Sequence, residues 1–447
     1  MDQRDIIIYT RLMQAVALWP YDFNRHLPER LRGRYNISKM LNVLYVMFWQ
    51  LICLHIAVLH IKTVLDSLDN LNDLFMVLVT TLIYCVMNMI HVFFLVNQKQ
   101  SLALMTDMRD KFKRRSAAGV TYIKYDSSQR FVQKFFKVWI VVCVLGTLHW
   151  ALFPILQHEK TLPFQCWYPV DVRQSPMYEL AYLGQVLGQL QVGLVFGMAG
   201  SLVMSCIFTV CGQFDILCCS LSNVCNTAMI NKGSYRFKLS TLQMMQKMTL
   251  REPNRYYIDE VFYEDLSNAP KVPTKIQKPL PEKHRYLSEL SDELATALDE
   301  CIEHHAMLIN FCYRVEECYH PFVMIKLGQM LILLCLTAYN ATTDALSPMK
   351  LMNIIEYFLL TMTELFCMCY LGQTLKNQSI RVGDALMTTP WYECGAAFRK
   401  RAVFIMMNSL KPLKLTAFKL YELDFETYYS VMTASFSYYT LLKKLQH

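Results

Sequence analysis

Apolar residues run along this chain in blocks longer than the core helices of a soluble domain require. A helix needs about 20 predominantly apolar residues to cross the hydrocarbon of a bilayer. Stretches 40–61 and 74–96 supply that length with no acidic or basic side chain. Stretch 138–156 is a third such block, and 180–214 is a long fourth that must tilt or project beyond the bilayer. The fifth, 322–339, holds Lys326 as its one charge, and the sixth, 351–375, carries Glu356 and Glu364. Stretch 427–442 is uncharged but shorter, so a seventh span there borrows the turn before it. The pattern predicts an all-α, polytopic membrane protein with seven transmembrane helices.

The polar stretches divide the chain further. Residues 1–39 precede the first span and 40–214 hold spans one to four. Residues 215–286 form a long basic loop, 287–375 a long helix leading into span five and then span six, 376–412 an anchor helix, and 413–447 the seventh span. Within the loop, 254–283 places Pro270, Pro273, Pro279 and Pro281 among charges, the composition of a disordered or extended insert. Leu287, Leu294, Cys301, Leu308 and Val315 then recur every seven residues, with Leu290, Leu298 and Phe311 alongside. Such a stripe predicts a helix that projects from the membrane and buries one face. Residues 396–410 mix Arg399, Lys400 and Arg401 with Val403, Phe404, Ile405, Met406 and Met407, too short to span and suited to a cytosolic or interfacial helix. Pro412 separates it from the last span.

Composition agrees, with 54% hydrophobic and 18% charged residues. The net charge of +8 would suit nucleic acid if it formed one surface, but it sorts by loop, so no nucleic-acid partner is expected. Arg4, Arg11, Arg25, Arg30, Arg32, Arg34 and Lys39 precede the first span, and Lys62 alone follows it. The same alternation holds at every later loop. Cytoplasmic loops are enriched in Lys and Arg, which predicts a cytoplasmic N-terminus, an extracellular C-terminus and a helical body surrounded by membrane lipid. That orientation is opposite to a G-protein-coupled receptor. The first residues lack the basic, apolar, small-residue order of a cleaved signal peptide, so the mature chain is expected to begin there. The 16 cysteines lie mostly inside apolar runs without paired spacing and read as small core residues.

No nucleotide loop, zinc-protease helix or nucleophile elbow is present, so neither an enzyme nor a cofactor is expected. His304 and His305 are adjacent and point to different sides of a helix, which does not make a metal site. No internal repeat supports a transporter. Ionisable groups inside spans invite a functional reading: Glu356 and Glu364 could attract cations, or Glu364 could pair with a neighbouring helix. Lys326 is expected to snorkel at the inner edge of its span.

Two constellations remain. In the outer halves of the spans, Thr80, Ile83, Tyr84, Cys143, Gly146, Trp150, Gln185, Gln189 and Tyr357 lie at compatible depths. Apolar walls with a few polar groups suit a small greasy ligand, and equally suit ordinary aromatic packing. On the last span, Ser430, Ala434, Ser437 and Leu441 share a helical face flanked by Thr433 and Thr440. A stripe of small, weakly polar residues reads either as a close helix contact or as the wall of a water-filled pore.

Residues 371–445 carry a resemblance. The tail SVMTASFSYYTLLKKL places Ser437 and Tyr438 before Leu441 one turn on, and upstream RVGDALMTTPWYECGAAFRKRAVFIMMNSLKPLKLTAFKLYELDFETYYSV orders a Trp-Tyr pair, a basic helix, a proline and Leu-Thr-Ala before the final span. This resembles the insect odorant receptor family. The related gustatory receptors end in a Tyr followed six residues on by Gln-Phe, where this chain has Lys444 and Leu445, which argues against that branch. A long inner loop is more a trait of the family's co-receptor, but the tail is unlike the co-receptor's, so the resemblance points to an odorant-tuned subunit.

The resemblance implies an odorant-gated, non-selective cation channel, a heterotetramer of odorant-tuned and shared co-receptor subunits around one pore. It implies a small, volatile, hydrophobic ligand in the outer half of the bundle among spans two, three, four and six. It also implies a gate at Leu441, with Ser437, Ser430 and Tyr438 at the pore, and an anchor made of helices 287–315 and 396–410.

Overall fold

A computed structural model describes residues 10–19, 35–69, 71–113, 125–156, 161–164, 166–232, 290–341 and 348–446. The proline-rich insert 254–283 and Leu287 of the heptad stripe lie outside the described residues. In chain order the helices are α1 (Tyr35–Asp66), α2 (Leu71–Val96), α3 (Gln98–Asp110), α4 (Tyr125–Leu156), α5 (Met177–Ser222), α6 (Val224–Asn231), α7 (Ser291–Asn340), α8 (Pro348–Met387), α9 (Ala396–Ser409) and α10 (Phe425–Gln446). A short hairpin, β1 (Thr416–Ala417) and β2 (Tyr421–Glu422), joins α9 to α10.

Among the described residues, six helices, α1, α2, α4, α5, α7 and α8, contain stretches long and apolar enough to cross a membrane. The 22-residue α10 is not among them, because Ser430, Thr433, Ser435, Ser437 and Thr440 dilute its apolarity. Burial sorts the spans. The most apolar stretch of α5 is 83% buried, against 28% in α1 and 22% in α4. Accordingly α5 runs through the centre, packed by α1, α2, α4, α7 and α8. On α1, Met40, Val43, Leu44, Met47, Leu51, Leu54 and Val58 stay exposed at helical spacing. A continuous exposed apolar stripe on a bundle of this kind is a lipid-facing surface.

The 50-residue α7 is both span and scaffold. Its first half buries Leu294, Leu298, Cys301, Leu308, Phe311 and Val315, the stripe that the seven-residue recurrence marks out. That half packs on α3, α6, α9 and β1. Arg314 pairs with Asp107 of α3, and the Arg401 guanidinium of α9 reaches both Asp299 oxygens at 2.8 and 2.7 Å. His304 lies 3.1 Å from Gln213 Oε1 of α5 rather than at any cation site. None of the sixteen cysteines is joined in a disulfide, and most are buried.

The hairpin turns through Phe418 and Lys419, whose φ values of 53° and 61° are unusual for residues with a Cβ. Contacts hold it there. The Phe418 amide donates to the His320 carbonyl at 3.2 Å, the Phe418 ring meets the His320 ring edge-on, and Lys376 of α8 reaches Glu422 at 3.2 Å and Asp424 at 3.5 Å. Pro321 follows His320 in α7 and removes one intrahelical donor beside this contact. The segment that leads into the last helix is thus tied to both α7 and α8.

Candidate functional site

Three layers are stacked along α5, spaced by its own side chains over the roughly 22 Å that fifteen helical residues span. Gln185 marks the top layer, Gln189 to Phe196 the middle and Gly200 the bottom.

The top layer is an aromatic roof. Gln185 is fully buried and clamps the loop before α5: its Oε1 accepts from the Phe164 amide at 2.9 Å, and its Nε2 donates to the Phe164 carbonyl at 3.1 Å. The Phe164 ring, so fixed, stacks on Trp150 at 4.8 Å and meets His60 and Tyr84 edge-on. Trp150 continues to Tyr357 at 5.8 Å. Thr80 Oγ1 donates to the Val77 carbonyl at 3.0 Å and lies 3.5 Å from His60 Nδ1. Thr80, Tyr84, Trp150 and Gln185 therefore stand one shell back, building the roof rather than lining open space.

Below it lies a cavity of about 50 Å³ enclosed by α2, α4, α5, α7 and α8. Ile83, Cys143, Gly146, Gln189 and Tyr357 line it, so five of the nine residues singled out from the sequence share one cavity. Gln189 Oε1 accepts from the Tyr84 hydroxyl at 3.1 Å, which ties cavity to roof. Glu356 enters from α8, where its Oε1 occupies the room left by the missing side chain of Gly146, and its Oε2 lies 3.5 Å from His149 Nδ1. Glu356 therefore sits beside a histidine at the cavity edge. Span five, absent from the sequence-based pocket, also contributes Gln329 and Leu333. A signal for Gln329 was present: it is an amide inside an apolar run, three residues after Lys326.

The bottom layer corrects the expectation for Lys326. Its side chain does not snorkel: Nζ lies 2.8 Å from Glu364 Oε2 with both side chains buried, and 4.0 Å from the centre of the Phe196 ring. An ion pair inside a low-dielectric bundle outweighs reaching for the interface when a carboxylate is one helix away. Gly200 of α5 leaves the room, since a Cβ there would meet Glu364 Oε1 at 2.6 Å. Of the two readings of Glu364, the helix pair is the one present.

The second candidate region is α10. Val431 and Ser435 are buried against α7, with Ser435 Oγ near the Leu331 carbonyl at 3.5 Å. The opposite face carries Ser430, Ser437 and Leu441, all exposed, with Tyr438 beside it. At 100° per residue these three lie within about 40° of one another and well over 90° from Val431 and Ser435 on average. The small-residue stripe thus points away from its own bundle. The Ser437 hydroxyl is turned back onto the Thr433 carbonyl at 2.9 Å, which leaves its oxygen as an acceptor on that face. Among the described residues, no group of three or more His, Cys, Asp or Glu is placed to hold a metal ion.

Comparison with known proteins places this geometry. A family model described as 7tm Odorant receptor matches residues 70–436. Odorant receptor 83a of Drosophila melanogaster is 28% identical over 449 residues, covering 99% of this chain and 96% of that protein. Two structures of the insect olfactory receptor OR5 from Machilis hrabei share the fold. The one in complex with eugenol has a TM-score of 0.71 at 12% identity over 99% of this chain and 98% of that chain. The other has a TM-score of 0.70, also at 12% identity, over 98% and 97%.

Proposed function

This chain belongs to the 7tm odorant receptor family, and from that premise we propose that it is the odorant-tuned subunit of a ligand-gated, non-selective cation channel completed by a shared co-receptor. It is a multi-pass membrane protein of odorant receptor type. The finer reading adds a mechanism. A small volatile molecule enters the cavity under the Phe164 roof, the α7–α8 pair responds, and α10 moves because the hairpin that leads into it is tied to both helices.

The observation that carries the reading is the direction of the α10 stripe. A small-residue face that packed within the subunit would be buried, whereas Ser430, Ser437 and Leu441 face outward. In a ring of subunits, that face lines a shared axis with hydroxyls along its length and a leucine constriction near its end. A ring of apolar side chains closes a pore by dewetting and conducts when widened. The ligand drives opening only through tighter binding to the open arrangement, and a differential of about 3 kcal/mol shifts the equilibrium more than a hundredfold. Eugenol in the Machilis hrabei receptor supports a small, mostly apolar ligand here as well.

The test is recording after co-expression with the co-receptor. Leu441→Ala is expected to raise basal current in the absence of ligand while surface expression stays unchanged. An unaltered basal current in that variant removes Leu441 from the gate.

A further inference from the structure

The polar groups around the cavity are not equivalent. Gln189 has its carbonyl oxygen taken by Tyr84, the Thr147 hydroxyl is committed to the Val144 carbonyl at 2.8 Å, and Glu356 sits beside His149. Gln329 differs. It is buried at 3% exposure, it lines the cavity, and among the described residues neither its Nε2 nor its Oε1 has a hydrogen-bond partner. A buried carboxamide left unsatisfied at both atoms is costly, and native interiors rarely leave one so unless something else completes it.

What completes it is set by valence. The Nε2 offers a donor and the Oε1 an acceptor. A hydrocarbon satisfies neither, a ketone or ether satisfies only the nitrogen, and an ammonium satisfies only the oxygen. A hydroxyl both accepts and donates, so it matches the amide's two faces at once. The apolar walls of Ile83, Val192, Phe196, Leu333 and Leu360 then receive a short alkyl or ring body.

We propose that Gln329 is the specificity-determining residue of this cavity and that it selects small volatile alcohols and phenols over isosteric compounds without a hydroxyl. The inference rests on the cavity being the ligand site. It adds a residue from span five and a chemical class to that reading. A site built to hydrogen-bond a hydroxyl rejects the analogue lacking it because its own buried groups are then left unpaired.

Butan-1-ol and diethyl ether are isomers that differ in the hydroxyl, and butan-2-one and butylamine complete the series. Binding is read as the ligand-induced rise in melting temperature of the full chain purified in detergent, over a concentration series, so that it does not depend on a functional channel. Butan-1-ol is expected to bind roughly 10- to 100-fold more tightly than diethyl ether. Gln329→Leu is expected to bring the two within about twofold of each other by removing both unpaired atoms. Should Gln329→Leu fail to fold, Gln329→Met keeps the unbranched shape and gives the same reading. Wild-type protein that binds alcohol and ether equally overturns the inference and leaves the cavity standing, as does a variant that keeps the alcohol preference. Failure of the wild type to bind any of the four compounds overturns both.

Discussion

At the scale of single residues, polar groups held in an apolar bundle carry the largest energetic stakes. Removing one partner of a buried ion pair leaves an uncompensated charge, whereas replacing both by apolar groups of similar volume is often tolerated. Lys326→Met is therefore expected to cost about 3–5 kcal/mol of stability, with Lys326→Met/Glu364→Leu close to wild type. Thermal unfolding of the purified variants checks this, and equal losses in single and double variants would contradict a coupled pair. Trp150→Ala acts differently. It stacks on Phe164 and reaches Tyr357, so its loss is expected to alter ligand potency without altering ion selectivity. That pair of readouts separates a roof residue from a pore residue. The sequence marked Lys326 and Glu364 as unusual through their placement in apolar runs, but their pairing depends on how two helices rotate against α5, and one-dimensional spacing carries no such information.

At the scale of elements, the hairpin between α9 and α10 fastens the start of the last helix to α7 and α8, and the proposed coupling of cavity to pore runs through it. Gly372 of α8 lies so close to it that a Cβ would collide with the Leu423 carbonyl oxygen. Backbone cannot swing aside as a flexible side chain can, so Gly372→Ala is expected to destabilise by about 1–3 kcal/mol. It should also weaken ligand-evoked opening more than ligand binding, which current and melting-temperature measurements together resolve. The hydrogen bond and charge of Lys414, joined by Lys376, hold the Glu422 carboxyl below its usual range against the opposing effect of partial burial. A carboxylate depressed in the folded state contributes stability above its unfolded pKa of about 4.3, lost as the pH falls through the folded value. Hydrogen-exchange protection of 416–424 is expected to hold at neutral pH and to fail only below the ordinary carboxylate range. The long helices were legible in the sequence because apolar length and the Leu294, Cys301, Leu308, Val315 recurrence are local signals. The two-residue strands were not, since Phe418 and Lys419 carry no glycine or asparagine to announce a turn and are held there by His320 from a distant segment.

At the scale of the whole molecule, a bundle that buries α5 and exposes the α1 stripe is a membrane body, and the proposed ring of subunits gives the outward small-residue face of α10 its neighbours. The alternating basic loops predict a cytoplasmic N-terminus, which accessibility of terminal tags in intact and permeabilised cells checks; an exposed N-terminal tag in intact cells contradicts it. Five of the nine residues singled out from the sequence line one cavity, because matching depths along spans two, three, four and six can be counted from the sequence. Gln329 was overlooked because the entry of span five into the cavity follows from packing, not from depth. The central claim is that ligand binding opens a channel lined by α10. Whole-cell recording from cells that express this chain with the co-receptor, during exposure to small volatile alcohols and a broader odorant panel, tests it most directly. A rapid, ligand-dependent cation current with little preference between sodium and potassium, altered by substitution at Leu441, is the expected result. Confirmed surface expression with no ligand-evoked current across the panel would contradict it.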